Sequence, residues 1–115
     1  MKVSELRGPR LDFWVARAEG FDYIEAHSDD GAVRVEDETG EYRRFAPSSD
    51  WRDGGPIIAR ERGEIYFARF STWLVATMGS YEARFQAVGD THLEAAMRAY
   101  VGSKFGSNVP DEVAA

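Results

Sequence analysis

The stretch Gly89-Asp90-Thr91-His92-Leu93-Glu94-Ala95-Ala96-Met97-Arg98-Ala99-Tyr100-Val101-Gly102-Ser103-Lys104-Phe105-Gly106 reads as an amphipathic helix with both ends marked. Thr91-x-x-Glu94 has the form of a capping box, in which a hydroxyl and a carboxylate satisfy amide donors that the first turn leaves without partners. Leu93, Ala96, Met97, Tyr100, Val101 and Phe105 recur at helical spacing and define one apolar stripe. Gly106 supplies the left-handed stop, and Pro110 prevents a restart.

Strands precede this helix. Tyr81 to Val88 alternates, with Tyr81, Ala83, Phe85 and Ala87 on one face and Glu82, Arg84 and Gln86 on the other. Trp73 to Met78 and Glu64 to Phe70 read as further strands, joined through a Ser71-Thr72 turn and a two-residue Gly79-Ser80 hairpin turn. No proline interrupts Ile57 to Val109. Upstream, Pro56 opens a short helix that runs to about Arg62 and is ended by Gly63. Before it, Ala46 to Gly55 is a loop rich in turn formers with Trp51 at its centre. Asp22 to His27, Ala32 to Asp37 and Glu41 to Phe45 form a β-meander, with turns at Ser28-Asp29-Asp30-Gly31 and Glu38-Thr39-Gly40. A first helix starts at Pro9, buries Leu11, Trp14, Val15 and Ala18, and stops at Gly20. The expected fold is α+β: an antiparallel β-sheet of meander and hairpins, with the N-terminal and C-terminal helices packed on one face. Residues 1–115 form a single domain, with 110–115 as a frayed tail.

Composition narrows the chemistry. With no cysteine there is no disulfide framework, no thiolate nucleophile and no Cys-based zinc site. His27 and His92 lack metal-ligand spacing, and no cofactor is implied. The N-terminus has no apolar run suited to a signal peptide, and no segment approaches a transmembrane span, so a soluble cytoplasmic protein with no membrane partner is expected. The net charge is −6, and residues Glu19 to Glu41 carry nine acids against Arg34 alone. Such a stretch reads as a solvated hairpin surface, and the lack of excess Lys and Arg disfavours broad nucleic-acid binding.

No catalytic or ligand motif rises above background. Gly54-Gly55-Pro56 at a helix start leaves room for close backbone approach, either to a bound anion or to the protein itself. Asp50-x-x-Asp53 offers a helix cap or, in a sharper reading, a divalent-cation site. Hairpin-turn acids are too wet for acid–base work. His92, in the first turn of the last helix, reads as a surface residue. Arg98 and Lys104 fall on or beside the exposed side of that helix, and Arg43, Arg44, Arg52, Arg60 and Arg62 cluster centrally as solubilising charge or as an anion grip.

Three stretches together resemble the NinX-like proteins of lambdoid and related phages and prophages. They are Leu11-Asp12-x-x-Val15-Ala16-x-Ala18-Glu19-Gly20, Ser48-Ser49-Asp50-Trp51-x-x-Gly54-Gly55-Pro56-Ile57-Ile58, and Gly89-x-Thr91-x-Leu93-x-Ala95-Ala96-Met97-Arg98-x-Tyr100-Val101-x-Ser103-Lys104-Phe105-Gly106. The resemblance implies an accessory phage protein acting in the cytoplasm of a bacterial host, with no catalytic residues to carry over. A second likeness covers Ile65 to Phe105, where three strands, Gly-Asp-Thr and an alanine-rich helix are similar to HicB-type antitoxin domains. It implies a partner-binding β-β-β-α unit.

These readings favour a non-enzymatic interaction protein that binds an unknown host or phage protein or other macromolecule. The expected contact residues are Ser49, Asp50, Trp51, Arg52, Gly54 and Gly55, with Trp51 as anchor and Arg52 as a polar contact. Two alternatives stand beside it: a small anion- or nucleotide-processing enzyme using the Gly54-Gly55-Pro56 helix start, and a HicB-like nucleic-acid or toxin-binding regulator. An exposed edge strand could also pair two copies as a homodimer.

Overall fold

The computed structural model describes residues 1–26, 31–67, 74–79 and 84–110. After a short 3-10 helix at Val3–Glu5 come α1 (Gly8–Glu19), β1 (Ile24–Glu25), β2 (Arg34–Glu36) and β3 (Tyr42–Arg44). Then follow α2 (Trp51–Arg60), β4 (Glu64–Phe67), β5 (Leu74–Met78), β6 (Phe85–Gly89) and α3 (His92–Phe105). The class is α+β, with helices near both ends. The strands divide into two three-stranded antiparallel sheets, ordered β1-β2-β3 and β4-β5-β6. α3 lies across the second sheet, and α1 packs against α3. The division falls at α2, which the chain inserts between β3 and β4.

The start of α3 is built as expected, whereas Gly106 ends it at φ +84° and ψ −166°, a glycine conformation outside the left-handed helical well. The Thr91 hydroxyl accepts from the Glu94 amide at 3.0 Å. The Glu94 carboxylate reaches back to the amide of Asp90 at 3.0 Å, one residue ahead of the cap. The stripe Leu93, Ala96, Met97, Tyr100 and Val101 is buried, whereas Phe105 keeps part of its surface in solvent and meets Trp14 edge-on at 5.5 Å. The apolar stripe understates the burial, because Ala95, Arg98, Ala99 and Gly102 are covered too. Small residues on that side let the helix come close to the sheet. A Cβ on Gly102 would stand 2.2 Å from Cδ1 of Phe85, and one on Gly89 would stand 2.5 Å from the Ala95 nitrogen.

α1 carries a proline in its first turn and ends at Gly20, whose φ of +83° is the left-handed stop. Leu11, Trp14 and Val15 enter the core as expected, joined by Phe13 and Ala16, while Ala18 stays at its margin. The N-terminal segment is tied down: Val3 N–H donates to the Ser107 carbonyl and Val109 N–H to that of Met1, both at 2.9 Å.

In the second sheet Ile65, Ala76 and Ala87 lie in one cross-strand row facing the core. The alternation read at Phe85 to Ala87 holds, with Gln86 exposed between its half-buried neighbours. A two-residue turn at Gly79-Ser80 would pair Met78 with Tyr81, but the partner of Met78 is Phe85. The offset is even, so every side chain keeps its face while the connection lengthens. The Ser71-Thr72 turn, Trp73, Tyr81 to Ala83, the Ser28 to Asp30 part of the first turn and the tail from Asp111 lie outside the described residues. Among the described residues, no helix is long and apolar enough to cross a membrane.

Candidate functional site

The segment from Phe45 to Arg60 departs most from its sequence reading. The expected loop from Ser49 to Gly55 is largely helix: α2 starts at Trp51, and Pro56 sits inside it. Asp50 caps this helix, its Oδ1 accepting from the Arg52 amide at 2.9 Å. A strong cap outweighs proline's preference for the first turn. The proline forfeits only the bond to the Arg52 carbonyl, and both residues are exposed to water.

This start removes the geometry of an anion site at Gly54-Gly55-Pro56. The Gly54 amide is spent on the Asp50 carbonyl at 2.9 Å. The close approach that the glycine permits is to the protein itself: a Cβ there would lie 2.5 Å from the Pro47 carbonyl oxygen and 2.7 Å from Cδ2 of Leu93. Gly54 is therefore buried and leaves the set of contact residues, and Gly55 is half-covered. Ser49, Asp50, Trp51 and Arg52 are on the surface.

The two aspartates of Asp50-x-x-Asp53 part company. Asp50 faces solvent as a cap. Asp53 turns inward, accepting from Arg43 Nη1 and from the Ala46 amide, each at 3.0 Å. Among the described residues no group of three or more acidic or histidine side chains is placed to hold a metal ion.

A second buried carboxylate, not singled out in the sequence, grips the same segment. Asp12 of α1 accepts from the Ser48 amide at 2.8 Å. Burial pushes its pKa up to about 6, with Asp53 adding to the rise and Ser48 and Arg44 working against it. The signal was present: an acid flanked by Leu11 and Phe13 in the first turns of a helix that must bury that side. Asp12 and Asp53 thus clamp Ala46 to Ser48 from two helices and fix the angle at which α2 leaves.

The far end of α2 is also tied. Arg60 makes a bidentate pair with Glu19, at 3.0 and 2.6 Å, and the Tyr100 hydroxyl donates to the same carboxylate at 2.5 Å. Burial alone would raise the Glu19 pKa, but hydrogen bonds from Arg60 and Tyr100 outweigh it and hold Glu19 below its ordinary value. Burial and the neighbouring Glu19 push the Tyr100 phenol well above its usual range. Arg43 and Arg60 are therefore engaged with carboxylates instead of forming an anion grip.

Arg98 corrects its sequence reading outright. It is 5% exposed. Its Nε donates to the Leu6 carbonyl at 2.7 Å and its Nη1 to that of Val88 at 2.9 Å, with Glu94 at 3.3 Å. Lys104 stays exposed, its ammonium 5.7 Å from the Tyr100 ring centroid.

What the tied segment presents is aromatic. Trp51 is 56% exposed, and its ring lies 6.5 Å from that of His92 at the start of α3. On the other side of His92, at 6.3 Å and nearly perpendicular, stands Phe67 of β4, which is 63% exposed. Three elements distant in sequence thus bring Trp51, His92 and Phe67 into one surface patch. His92 lies on the surface as expected but as the middle member of this patch. Phe67 was missed, because in sequence it reads as one more inward strand residue. The acidic hairpin lies elsewhere. There an open depression of about 720 Å³ is lined by Phe21, Asp22, Tyr23, Glu36, Glu38 and Arg43 among others. Asp37 on its rim is occupied with the turn, accepting from both the amide and the hydroxyl of Thr39.

The architecture is thus a small α+β domain in which Asp12, Asp53 and Arg98 hold backbone and the described residues leave an aromatic patch exposed. The chain belongs to the phage protein family described as Bacteriophage P22, NinX, which it matches over residues 2–104, a span that takes in α1, α2, both sheets and all of α3 except Phe105. No curated protein matches the chain.

Proposed function

We propose that this phage-family protein works in the host cytoplasm as a non-enzymatic interaction module, docking a host or phage protein on the surface headed by Trp51. The observation that carries the reading is a tryptophan more than half exposed, flanked by His92 and Phe67, at the start of a helix anchored at both ends. Large aromatics held rigidly at a surface are typical hot spots, because little side-chain entropy is lost when a partner covers them. Arg52, next in the chain and exposed, supplies a polar contact at the rim. Ser49 and Asp50 complete the edge. The buried carboxylates support a structural role over a catalytic one, since Asp12 and Asp53 each accept from a backbone amide and the other oxygen of Asp53 is held by Arg43.

Affinity capture from infected host lysate, with wild type and Trp51→Ala as paired baits, tests the reading. A protein retained by wild type and absent with the variant, at equal melting temperature, supports it. Identical retention by both baits contradicts it. The enzymatic alternative has its own discriminator: phosphate, nucleotides or divalent cations would raise the melting temperature by mass action. A nucleic-acid regulator would show salt-dependent retention on DNA or RNA.

A further inference from the structure

We propose that β4 is a self-pairing edge, through which two copies of this chain join into one continuous six-stranded antiparallel sheet. β4 lies at the end of the order β4-β5-β6, and among the described residues no strand pairs with its outer side. Its sequence, Glu64-Ile65-Tyr66-Phe67, is short and carries one acid, but it lacks three usual guards of an open edge: proline, lysine and a bulge in the register. Both of its aromatic side chains are left in solvent, Tyr66 at 47% on one face and Phe67 on the other. A lightly guarded edge with an aromatic on each face is a template for another strand.

The occupant follows from the strand's own symmetry. A twofold axis perpendicular to the sheet pairs residues of like face, so the registers open to it are few. One that sets Glu64 against Glu64 places like charges opposite each other and is disfavoured. Centring the axis on Ile65 sets Glu64 opposite Tyr66 and Phe67 opposite Gly63. Gly63 has no side chain, because the Met78 sulfur stands 2.1 Å from where its Cβ would be. The large residue at one end of the strand thus meets the bare backbone at the other, twice, by symmetry. A foreign strand would have to supply this complementarity; a second copy carries it.

Phe67 belongs to both surfaces, so the seam runs beside the patch headed by Trp51. An axis perpendicular to the sheet leaves both α3 helices on the same side, so the dimer presents two Trp51 surfaces in one direction. A partner with two sites would then bind with avidity. The paired strand is short, so the dimer is expected to be reversible, with a Kd on the order of micromolar to tens of micromolar.

Sedimentation velocity across a concentration series tests the state. Reversible dimerisation is expected for wild type and for Trp51→Ala, and a rise in Kd of more than about tenfold for Tyr66→Glu, which sets a carboxylate against Glu64 at both ends of the seam, with an unchanged melting temperature. The register is read by cross-linking, since the natural chain has no cysteine. The double variant Glu64→Cys/Tyr66→Cys should oxidise to a covalent dimer, whereas Glu64→Cys alone should not, its two thiols lying two residues out of register. A chain monomeric at roughly 0.5 mM overturns the inference. So does a dimer indifferent to Tyr66→Glu, or one that cross-links equally through Glu64→Cys alone.

Discussion

The underside of α3 and the first turn of α2 exchange the residues that polarity alone would assign to them. Beneath α3 an arginine is enclosed, its donors divided between the carbonyls of Leu6 and Val88, with Glu94 alongside. At the head of α2 a tryptophan stands in solvent beside a histidine and a phenylalanine. The enclosed charge joins the N-terminal segment, β6 and α3 at one point, so it belongs to the fold. The exposed ring is more than half in solvent and meets His92 at 6.5 Å. A buried charge whose donors hold backbone belongs to the fold, and an exposed aromatic on an anchored helix is what the proposed docking role needs.

The largest effect should come from breaking the enclosed side. Arg98→Ala takes its donors from the Leu6 and Val88 carbonyls and removes the nearest cation from Glu94 in a covered site. A loss of about 3 kcal/mol or more in urea unfolding is expected. If Arg98→Ala is within about 0.5 kcal/mol of wild type, Arg98 is not the joint described here.

The Asp12 clamp sharpens the contrast through pH. Its folded-state pKa of about 6 lies above the ordinary 3.8, so the folded protein holds a proton there that the unfolded chain has released. Between these values Asp12 favours folding more as pH falls, by roughly 2 kcal/mol at pH 4 relative to pH 7. Glu19, lowered below 4.5, acts in the opposite sense: its contribution is present above that value and is lost as pH falls further. Asp12→Asn keeps an acceptor for the Ser48 amide without a charge. Stability at pH 7 should hold or rise, and the pH 4 to 6 slope should flatten. A steeper slope in the variant would contradict the assignment.

A smaller effect is expected at the closest contact of α3 with the sheet. Gly102→Ala places a methyl in the Phe85 ring, and overpacking of this kind costs about 1–3 kcal/mol, measured by thermal or urea unfolding. An unchanged midpoint would mean that the helix and strand can separate freely.

The two sides were not equally legible in the sequence. The helix ends were, because a capping box, a first-turn proline and stop glycines act locally: Thr91, Glu94, Pro9 and Gly20 all do what their positions imply. The strands were too, in class and approximate place. The start of α2 was not, because Asp50 as a cap and Pro56 as an opener were competing local signals, and only the packing of Gly54 on Pro47 and Leu93 decides between them. Arg98 was misplaced because a helical wheel assumes one covered face, whereas α3 is covered by a sheet, a helix and the N-terminal segment at once. Of the surface patch, Trp51 stood out as a large aromatic among turn formers. Its company did not, since His92 and Phe67 reach it only through the tertiary fold.

The melting temperature of Trp51→Ala, set beside that of Arg98→Ala, tests the central contrast most directly. The account predicts that the tryptophan variant melts with wild type, within about 0.5 kcal/mol in stability, while the arginine variant falls far below. A loss of about 3 kcal/mol in Trp51→Ala, the size seen when a core aromatic is removed, would show that the ring holds the fold together and is not kept for a partner.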